Sequence, residues 1–448
     1  MVNDKTASPN PGTKTPQNTV QVTEFTHGLV GPSLGMLGPI KDGGRIITST
    51  PPGCWSPMIT PSFHGGHEVS RPVAIEGAEV GDAVVIRLLR VRALSAASSS
   101  GVSTTIDGRY NGDPFVAKRC GECGAESPDS FIEGIGADVV RCKECGAEAS
   151  TFQFKQGYTC VLDSAKGVAV TVPPEVAARV AEQAQTLHAS PKNTEAHSIL
   201  AMGAGSMPGV VTRVLPFLGN IGTTPSIDMP DSHNAGDFGA FLIDAPHDYG
   251  LDREALYQHK TDGHMDCAQV REGAVLICPV KVAGAGVYLG DMHAMQGNGE
   301  VAGHATDVTA DVEIQVEVIK GLNIDGPLLL PLEEDLPVLA RPIRPPLREK
   351  AQALADSHNM QVELELAAPL TVIGSGDDLN QATQNGLERA AALTGLSLPE
   401  IQNRATITGS IEIGRLPGVI KVTFLCPMPI LEKLGLAQLV SEHFSLQE

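Results

Sequence analysis

Short apolar runs separated by Gly and Pro dominate this chain, and the clearest of them alternate with polar residues. Residues 308–318, VTADVEIQVEV, place an apolar side chain at every second position, as in a strand with one face exposed to water. A similar alternation begins at Val84, while residues 273–282, GAVLICPVKV, form a nearly continuous apolar run that fits a buried strand. This pattern predicts a β-rich protein with few helices.

Helical patterns are confined to short segments. Residues 174–188 begin with Pro and continue with strong helix formers, so they are predicted to form a helix. Asp377 and Asp378 precede LNQATQNGLERAAALTG, where a short acidic side chain can cap the first turn. A second short helix is predicted over residues 396–403. Strands are predicted before and after these two helices at 361–365, 370–373, 406–414 and 418–427.

Changes in composition along the chain indicate its organisation. Residues 1–20 contain almost nothing to bury and are predicted to be a disordered leader. The small, polar stretch 95–106 is predicted to be a linker into an insertion. The predicted parts after the leader are a β-rich N-terminal part (21–106), a cysteine-containing insertion (107–160), a β-core with polar loops (161–325) and an α+β C-terminal part (326–448).

Four of the nine cysteines form two C-x-x-C units, each followed by Gly. Cys120 and Cys123 make the first unit, and Cys142 and Cys145 make the second after eighteen intervening residues. Two such turns can present four thiolates to one Zn²⁺ in a tetrahedron. Two redox pairs or free thiols are the alternative, but the spacing favours a zinc ribbon. Such a site is closed, so its Zn²⁺ is predicted to be structural.

The charge of the chain narrows its range of partners. Its 32 Lys and Arg against 52 Asp and Glu give a formal net charge of −20 at pH 7. Because nucleic acids are bound mainly through clustered Lys and Arg, DNA or RNA binding is not expected. No apolar run reaches the roughly 18 residues of a membrane span, and the first residues do not have the pattern of a signal segment. We therefore expect a cytoplasmic protein without a membrane partner.

The loop after residue 289 carries the densest group of candidate metal ligands. Asp291 and His293 are two positions apart, so on an extended backbone both point to one face and can share a divalent ion. Glu300 follows a Gly-Asn-Gly turn that can fold it back toward them. His264 and Asp266 repeat the spacing, and the two pairs can meet at one end of a sheet. A hydrogen-bonded His in a polar loop is the alternative for either pair.

Three further residues each have two interpretations. Cys267 has the chemistry of a nucleophile, but it precedes an apolar strand, so a buried cysteine is the preferred interpretation. His64 and His67, in Phe-His-Gly-Gly-His, can add ligands to the same metal or lie in an ordinary surface turn. The surface turn is preferred, so neither histidine is assigned to the site.

Four long segments carry a resemblance to a known family. They are RPVAIEGAEVGDAVVIRLL (71–89), RVLPFLGNIGTTP (213–225), GHMDCAQVREGAVLICPVKVAGAGVYLGDMHAMQGNGEVAG (263–303) and GDDLNQATQNGLERAAALTG (376–395). In this order they resemble the acetamidase/formamidase family of small-amide hydrolases. The stretches EGAE-x-GD and GD-x-H-A-x-Q-G-x-GE are long enough to be specific.

The resemblance is incomplete at a few positions. His264 stands where the family usually has Asn, and Met292 stands where it usually has Gly. The cysteine insertion and the first 70 residues also differ from an ordinary member. Because these differences leave the core motifs intact but change their surroundings, a larger or cyclic amide is the alternative substrate.

The resemblance implies a β-rich α+β fold with a β-sandwich or barrel core, few helices and a homo-oligomeric assembly. It implies hydrolysis of a small carboxamide, such as formamide or acetamide, to ammonia and a carboxylate by metal-activated water. The divalent ion, expected to be Zn²⁺, would be held by Asp291, His293 and either Asp266 or His264.

The resemblance also suggests roles for residues around the ion. Glu300 is preferred over Glu76, in EGAE, as the group that moves a proton, because Glu300 is contiguous with the proposed ligands. Glu76 can instead cap a turn. Asn220 and Gly290 are candidate substrate contacts. A non-catalytic scaffold that uses the zinc ribbon as a protein contact is the remaining alternative.

Overall fold

A twelve-stranded sheet forms the framework of the protein. The computed structural model describes residues 17–26, 28–53, 67–106, 110–111, 113–117, 119–126, 128–134, 139–150, 152–194, 207–230, 253–259 and 263–446. The strands up to residue 171 are β1 (Gln17–Val22), β2 (Leu29–Val30), β3 (Leu37–Thr50), β4 (Val73–Ile75), β5 (Ala83–Ala93), β6 (Ala97–Thr105), β7 (Tyr110–Asn111), β8 (Asp113–Ala117), β9 (Ser130–Ile132), β10 (Val140–Cys142), β11 (Phe152–Asp163) and β12 (Val168–Thr171). The later strands are β13 (Val211–Arg213), β14 (Phe217–Thr223), β15 (Met229–Pro230), β16 (Val275–Pro279), β17 (Val287–His293), β18 (Ala310–Ile319), β19 (Leu328–Leu330), β20 (Ala367–Ser375), β21 (Ser410–Arg415) and β22 (Val419–Pro427).

Helices are short and few compared with the strands. They are α1 (Pro174–Ala181), α2 (Ala184–His188), α3 (Arg253–His259), α4 (Pro345–Ser357), α5 (Leu379–Thr394), α6 (Leu398–Thr408), α7 (Met428–Lys433) and α8 (Ala437–His443), with 3₁₀ turns at Glu333–Asp335 and Val338–Ala340. The predicted β-rich α+β class is therefore confirmed. In the described part of the chain, no helix has the length and apolar character needed to cross a membrane.

The main sheet has the order β14-β17-β4-β3-β18-β5-β16-β19-β20-β22-β21, and β1 pairs with β3 beside it. At its centre, β18 lies antiparallel to both β3 and β5. The alternation predicted for residues 308–318 is confirmed, because Val312, Ile314 and Val316 are fully buried and the polar residues between them are partly exposed. The buried side chains of β18 belong to the main apolar core, which also contains side chains of β17.

The C-terminal residues extend the same sheet through β19, β20, β22 and β21, and α5 and α6 cover one face of this extension. Asp378 caps α5 as predicted, since its carboxylate accepts from the amide of Gln381 at 2.9 Å. The next helix, α6, continues to Thr408 instead of ending at residue 403. Its last turns bury Ile401 and Ala405 at helical spacing, so the following strand begins later than predicted.

The strand predicted at residues 361–365 does not form. The described residues 358–366 have no regular structure and are mostly exposed. Arg348 in α4 donates to the carbonyl oxygens of Leu364 and Glu365 at 3.1 and 2.9 Å. These acceptors therefore bond to a side chain, not to a neighbouring strand.

Two segments predicted to be irregular contain strands. β1 starts inside the predicted leader of residues 1–20 and runs parallel to β3, so the leader prediction extends too far. Residues 1–16 lie outside the described residues. The predicted linker at 95–106 contains β6, which is antiparallel to β11. Its small side chains allow close pairing, because a Cβ on Gly101 would lie 2.6 Å from the backbone of Gly157.

The cysteine insertion extends from the hairpin formed by β6 and β11. These two strands join β12 and β13 in a separate four-stranded sheet, so the predicted boundary at residue 160 falls inside β11. The helix predicted over residues 174–188 forms as two helices, α1 and α2. The chain leaves helical geometry at Gln183, where φ is −114° and ψ is 18°.

Candidate metal and catalytic site

The two Asp/His pairs predicted from the sequence lie together beside β14 and β17. The segment that contains His264 and Asp266 lies alongside β14, since the amide of Asp266 donates to the carbonyl of Gly219 at 3.0 Å. Asp291 and His293 lie at the end of β17, which is antiparallel to β14. His264 Nε2 is therefore 2.9 Å from Asp266 Oδ2 and 3.2 Å from Asp291 Oδ2.

Two residues from other parts of the chain join these pairs. His67 Nε2 is 3.5 Å from Asp291 Oδ1, because the chain before β4 runs antiparallel to β17. Asp307 Oδ1 is 3.1 Å from His293 Nε2, and this nitrogen is 3.3 Å from Asp291 Oδ1. All six residues are at most 3% exposed. The carboxylate–imidazole cluster consists of His67, His264, Asp266, Asp291, His293 and Asp307.

Unusual backbone conformations aim two carboxylates into the cluster. Asp266 and Asp291 have φ of 47° and 49°, in the left-handed region that costs a residue with a Cβ about 1–3 kcal/mol. Gly219 of β14 lies directly against them. A Cβ at this glycine would be 2.8 Å from Asp291 Oδ2 and closer still to Asp266 Oδ1. The backbone here is adapted to bring acidic groups together.

A second layer of polar contacts orients the cluster. Gln296 accepts from Nδ1 of His293 at 2.8 Å, and its Nε2 donates to the carbonyl of Asp266 at 2.7 Å. When His293 is neutral, this contact keeps the proton on Nδ1 and leaves the Nε2 lone pair facing the carboxylates. Arg415 at the end of β21 places Nε 3.1 Å from Asp266 Oδ2, and both side chains are 1% exposed. The C-terminal part of the chain thus supports the site.

The electrostatics show that the cluster attracts positive charge. Burial lowers the pKa of His264 and His293, but the adjacent carboxylates hold both pKa values well above the ordinary range. Burial alone would raise the pKa of Asp291, yet the charges of His67 and His293 keep that pKa well below its usual value. The pKa of Asp307 rises to about 6, chiefly because of burial. The cluster therefore stabilises either imidazolium ions or a bound cation.

The donor atoms of the cluster fit a divalent ion. Donors about 2.1 Å from an ion are roughly 3.0–3.4 Å from one another, and the closest pairs here are 2.9–3.5 Å apart. Asp291 Oδ1, both oxygens of Asp307 and His293 Nε2 make no hydrogen bond within the described chain, despite their close approach. Mixed imidazole and carboxylate donors suit Zn²⁺ and other first-row divalent ions.

Glu300 lies beside the cluster in a turn that is fixed to the end of β21. Gly299 donates its amide to the carbonyl of Gly414 and accepts from the amide of Leu416, both at 2.9 Å. Burial, followed by the negative charge of Asp266, raises the pKa of Glu300 well above its ordinary value. A buried carboxyl group with a raised pKa is suited to proton transfer.

The four cysteines of the insertion also converge. Cys120 Sγ is 3.7 Å from Cys145 Sγ, and Cys123 Sγ is 3.9 Å from Cys142 Sγ. The thiolates of a tetrahedral Zn²⁺ site with Zn–S bonds of 2.3 Å are about 3.8 Å apart. Each knuckle ends at a glycine in the left-handed region, with φ of 73° at residue 124 and 74° at residue 146. The geometry fits one closed tetrahedral metal site, as the spacing predicts.

A comparison with known protein families establishes the relationship of this chain. The model of the Acetamidase/Formamidase family matches residues 53–433. The chain belongs to this family. This range spans the cluster and most of the C-terminal part. A search of curated proteins finds no significant relative.

Three solved structures share the acetamidase/formamidase fold with this chain. A predicted acetamidase/formamidase from Thermoanaerobacter tengcongensis has 18% identity and a TM-score of 0.52, over 94% of this chain and 99% of that chain. An acetamidase from Yersinia enterocolitica has 15% identity and a TM-score of 0.50, over 94% of each chain. An acetamidase from Bacillus halodurans has 15% identity and a TM-score of 0.50, over 93% and 99%. At these identities the similarity concerns the fold.

The structure places Glu76 outside the carboxylate–imidazole cluster. Glu76 is exposed in the turn after β4. The neighbouring amide of Ile75 donates to the carbonyl of Gly284 at 2.9 Å. Val73 of β4 pairs antiparallel with Val287 at the start of β17, so the chain runs away from Asp291 as it continues from Val73 to Glu76. The EGAE motif is therefore a turn between strands. This position fits the alternative interpretation, in which Glu76 belongs to a turn and not to the catalytic machinery.

The two predicted substrate contacts lie in paired strands. Gly290 allows close packing, since a Cβ there would lie 2.6 Å from Val69 Cγ1. Asn220 is buried and pairs through its backbone with Gly290 and His264. Because side chains alternate along a strand, Asn220 faces away from Gly219 and the carboxylates beside it. A direct role of Asn220 in substrate binding stays a prediction.

Cys267 is a buried cysteine, as the preferred interpretation states. Its thiol is fully buried, and burial raises its pKa to about 12, so it is not a thiolate at neutral pH. His64 lies outside the described residues, whereas His67 belongs to the cluster and not to an ordinary surface turn. Asp307, Gln296 and Arg415 also contact the site, and none of them was predicted from the sequence. Of these three residues, only Gln296 could have been identified from the sequence, because it lies in the GD-x-H-A-x-Q-G motif.

Proposed function

We propose that this protein is a metal-dependent amidohydrolase that cleaves a small carboxamide, such as formamide or acetamide, to ammonia and a carboxylate. The observation that carries the proposal is the convergence of three imidazoles and two further carboxylates around Asp291, all at most 3% exposed, in a chain of the acetamidase/formamidase family. An amide needs such a site, because its resonance makes the carbonyl a poor electrophile and the nitrogen a poor leaving group.

The residues of the cluster divide the necessary work. Asp266, Asp291, His264 and His293 are the proposed ligands, and Zn²⁺ is the expected ion. When bound, such an ion lowers the pKa of water and polarises a carbonyl oxygen. The fixed positions of the ligands, supported by Gln296, keep these donors from rearranging during the reaction.

Glu300 is the proposed proton carrier. Burial and the charge of Asp266 raise its pKa, which suits a carboxylate that accepts a proton from water and then donates it to the departing nitrogen. Arg415 is a positioning residue, since it holds Asp266 and its strand also anchors the turn of Glu300. The carboxylate of Asp266 and the turn of Glu300 are therefore both held by the end of β21.

The four-cysteine site is proposed to hold a structural Zn²⁺. Its four thiolates fill a tetrahedron and leave no position for substrate. The backbone amide of Cys123, which donates to the sulfur of Cys120, is the main cause that lowers the pKa of Cys120 to about 7 and favours the thiolate that a metal needs. The assembly of the protein as a homo-oligomer and its cytoplasmic location stay predictions.

The proposal is tested by ammonia release from formamide and acetamide. Asp291→Asn and His293→Ala are expected to abolish release while the protein stays folded by circular dichroism. Glu76→Gln is the matched control, because this exposed carboxylate lies in another family motif and outside the cluster; it should retain wild-type activity. Full activity of both cluster variants would refute the assignment.

The size of the substrate and the scaffold alternative need separate measurements. A panel running from formamide to larger and cyclic amides identifies the preferred acyl group, and a preference for the largest members would contradict the small-amide proposal. Metal analysis addresses the scaffold, which requires only the ion at the four cysteines. An ion beyond that one, removable by chelators together with activity, is the expected result.

A further inference from the structure

A separate part of the fold, the accessory unit, contacts the site from outside the main sheet. The accessory unit is the four-stranded sheet of β6, β11, β12 and β13 together with α1 and α2, which pack on β6 through a small apolar cluster. The four-cysteine insertion lies in its β6–β11 hairpin. No member of the carboxylate–imidazole cluster belongs to this unit. Its polar side chains nevertheless reach residues 306–309, which include Asp307 of the cluster.

We propose that Ser98 and His188 are positioning residues of the active site, which hold the peptide of Asp307 so that its carboxylate stays in the cluster. Ser98 Oγ donates to the carbonyl oxygen of Asp307 at 2.5 Å, and His188 Nε2 lies 3.1 Å from the same oxygen. A carbonyl oxygen has two lone pairs, so the two donors occupy both acceptor positions. This inference rests on the proposed function and extends it to a part of the chain that contains no cluster residue.

The chain around Asp307 is held on its other edge by β17. The amide of Ala294 donates to the carbonyl of Thr306 at 2.8 Å, and the amide of Val308 donates to a carbonyl of β17 at the same distance. Because carbonyl groups alternate in direction along an extended chain, the carbonyl of Asp307 faces away from β17. The accessory unit supplies its donors on that side, where a sheet would have another strand.

The carboxylate of Asp307 depends on this backbone for its position. The side chain is fully buried, and neither carboxylate oxygen has hydrogen-bond geometry to another described residue. Oδ1 lies 3.1 Å from Nε2 of His293, but the same nitrogen is also 3.3 Å from Asp291 Oδ1. This shared contact does not fix the carboxylate by itself. A displacement of the Asp307 peptide therefore moves the carboxylate relative to the rest of the cluster.

Further contacts keep the two donors in place. Ser95 Oγ donates to the carbonyl of His188 at 2.6 Å and accepts from the amide of Thr309 at 2.8 Å, so one hydroxyl joins the end of α2 to the chain beside the cluster. The hydroxyl of Tyr158 in β11 is 3.0 Å from Thr306 Oγ1. Ser95, like the two positioning residues, is at most 3% exposed. A shift of any member would leave a buried polar group without its partner, which opposes movement.

The test compares variants that remove a donor with variants that keep the contacts. His188→Leu removes the N–H group, whereas His188→Gln retains an N–H donor that can take the place of Nε2. Ser98→Ala removes one hydroxyl. Ser99→Ala is its matched control, because the adjacent side chain points to the other side of β6 and contacts Thr159 Oγ1 at 2.8 Å. On each full-length protein with its metals bound, we measure kcat and KM for formamide and acetamide and the hydrogen exchange of residues 306–309.

His188→Leu and Ser98→Ala should each lower kcat by about 10–100-fold, as changes behind metal ligands typically do, with little change in KM. Hydrogen exchange of residues 306–309 should become faster in both. His188→Gln and Ser99→Ala should keep the wild-type kcat. Wild-type kcat in folded His188→Leu and Ser98→Ala would overturn the proposal. An equal loss of kcat in the two control variants would also overturn it, because the effect would then come from packing alone.

Hydrogen exchange separates this inference from the proposed function. If the wild type hydrolyses no amide, the amidohydrolase assignment fails, while faster exchange of residues 306–309 in the two donor-removing variants still supports the positioning of Asp307. Unchanged exchange there would overturn the positioning role with or without amide hydrolysis. Ser98→Ala removes a single oxygen atom, so it keeps the comparison possible if His188→Leu does not fold.

Discussion

Gly219→Ala tests the geometry of the cluster without removing any of its functional groups. The added Cβ would lie 2.8 Å from Asp291 Oδ2 and 2.8 Å from the Asp291 carbonyl oxygen, and closer to Asp266 Oδ1. Carbon and oxygen atoms in ordinary contact are farther apart by about 0.5 Å or more, so the carboxylates must shift by at least that amount. Metal–ligand distances tolerate only about 0.2 Å.

The expected effect of Gly219→Ala is therefore larger on metal binding than on stability. Overpacking of this kind destabilises a protein by about 1–3 kcal/mol, which a domain of this size can tolerate. Displaced ligands should weaken metal affinity by roughly 100-fold, as changes next to ligands typically do. Bound metal, ammonia release and urea unfolding are measured on the same preparation.

Gly297→Ala is the matched control for this substitution. Its added Cβ would meet nothing within 4 Å, although Gly297 lies in the turn that leads to Glu300. It should retain wild-type metal content and activity. The reasoning is refuted if Gly219→Ala binds metal and hydrolyses amide as the wild type does, because the carboxylates then do not occupy the positions described.

Four further substitutions have defined outcomes. Glu300→Gln should lower kcat by about 10²–10⁴-fold with metal content unchanged, measured by ammonia release; unchanged kcat would exclude Glu300 as the proton carrier. Cys142→Ser should remove one Zn²⁺ per chain and expose the insertion to proteolysis, while the metal of the cluster stays bound. Cys267→Ala should keep its activity, since burial raises the thiol pKa to about 12 and a thiolate is not used; loss of kcat in a folded variant would contradict this. Burial lowers the pKa of His188 to about 4, so the free energy of unfolding should fall as the pH drops from 6.5 toward 4, and His188→Gln should flatten that dependence in urea unfolding.

Local sequence patterns predict the parts of this fold that depend on neighbouring residues. The alternation in β18 and the cap at Asp378 are local properties, and the structure confirms both. The polar segments at β1 and β6 are strands because distant partners pair with them, and no local pattern contains that information. The same limit explains the false strand at 361–365, where Arg348 takes the backbone acceptors.

The site shows the same division between local and distant information. The spacing of Asp291 and His293 and of His264 and Asp266 indicates two candidate ligand pairs, and the structure brings these pairs together. Asp307 follows an ordinary Ala-Thr stretch and is identified only by its bridge to β17. Arg415 is more than a hundred residues from every member of the cluster in sequence, and β21 brings it to Asp266.

Membership of a family motif was the reason to consider Glu76 as a catalytic residue, and it was not sufficient. EGAE is as distinctive in the family as GD-x-H, yet Glu76 is exposed and separated from Asp291 by most of the length of β17 and the loop before it. A motif can mark a turn that the fold needs, and only the position of its side chain distinguishes this case from a catalytic role.

The most direct test of the central claim compares ammonia release with ion occupancy of the carboxylate–imidazole cluster. The protein is treated with a chelator that leaves the four-cysteine site loaded, and Zn²⁺ is then returned in steps while release from acetamide and formamide is followed. We expect no activity without an ion in the cluster and a rate that rises with its occupancy. Full amide hydrolysis while the cluster contains no ion would contradict the account.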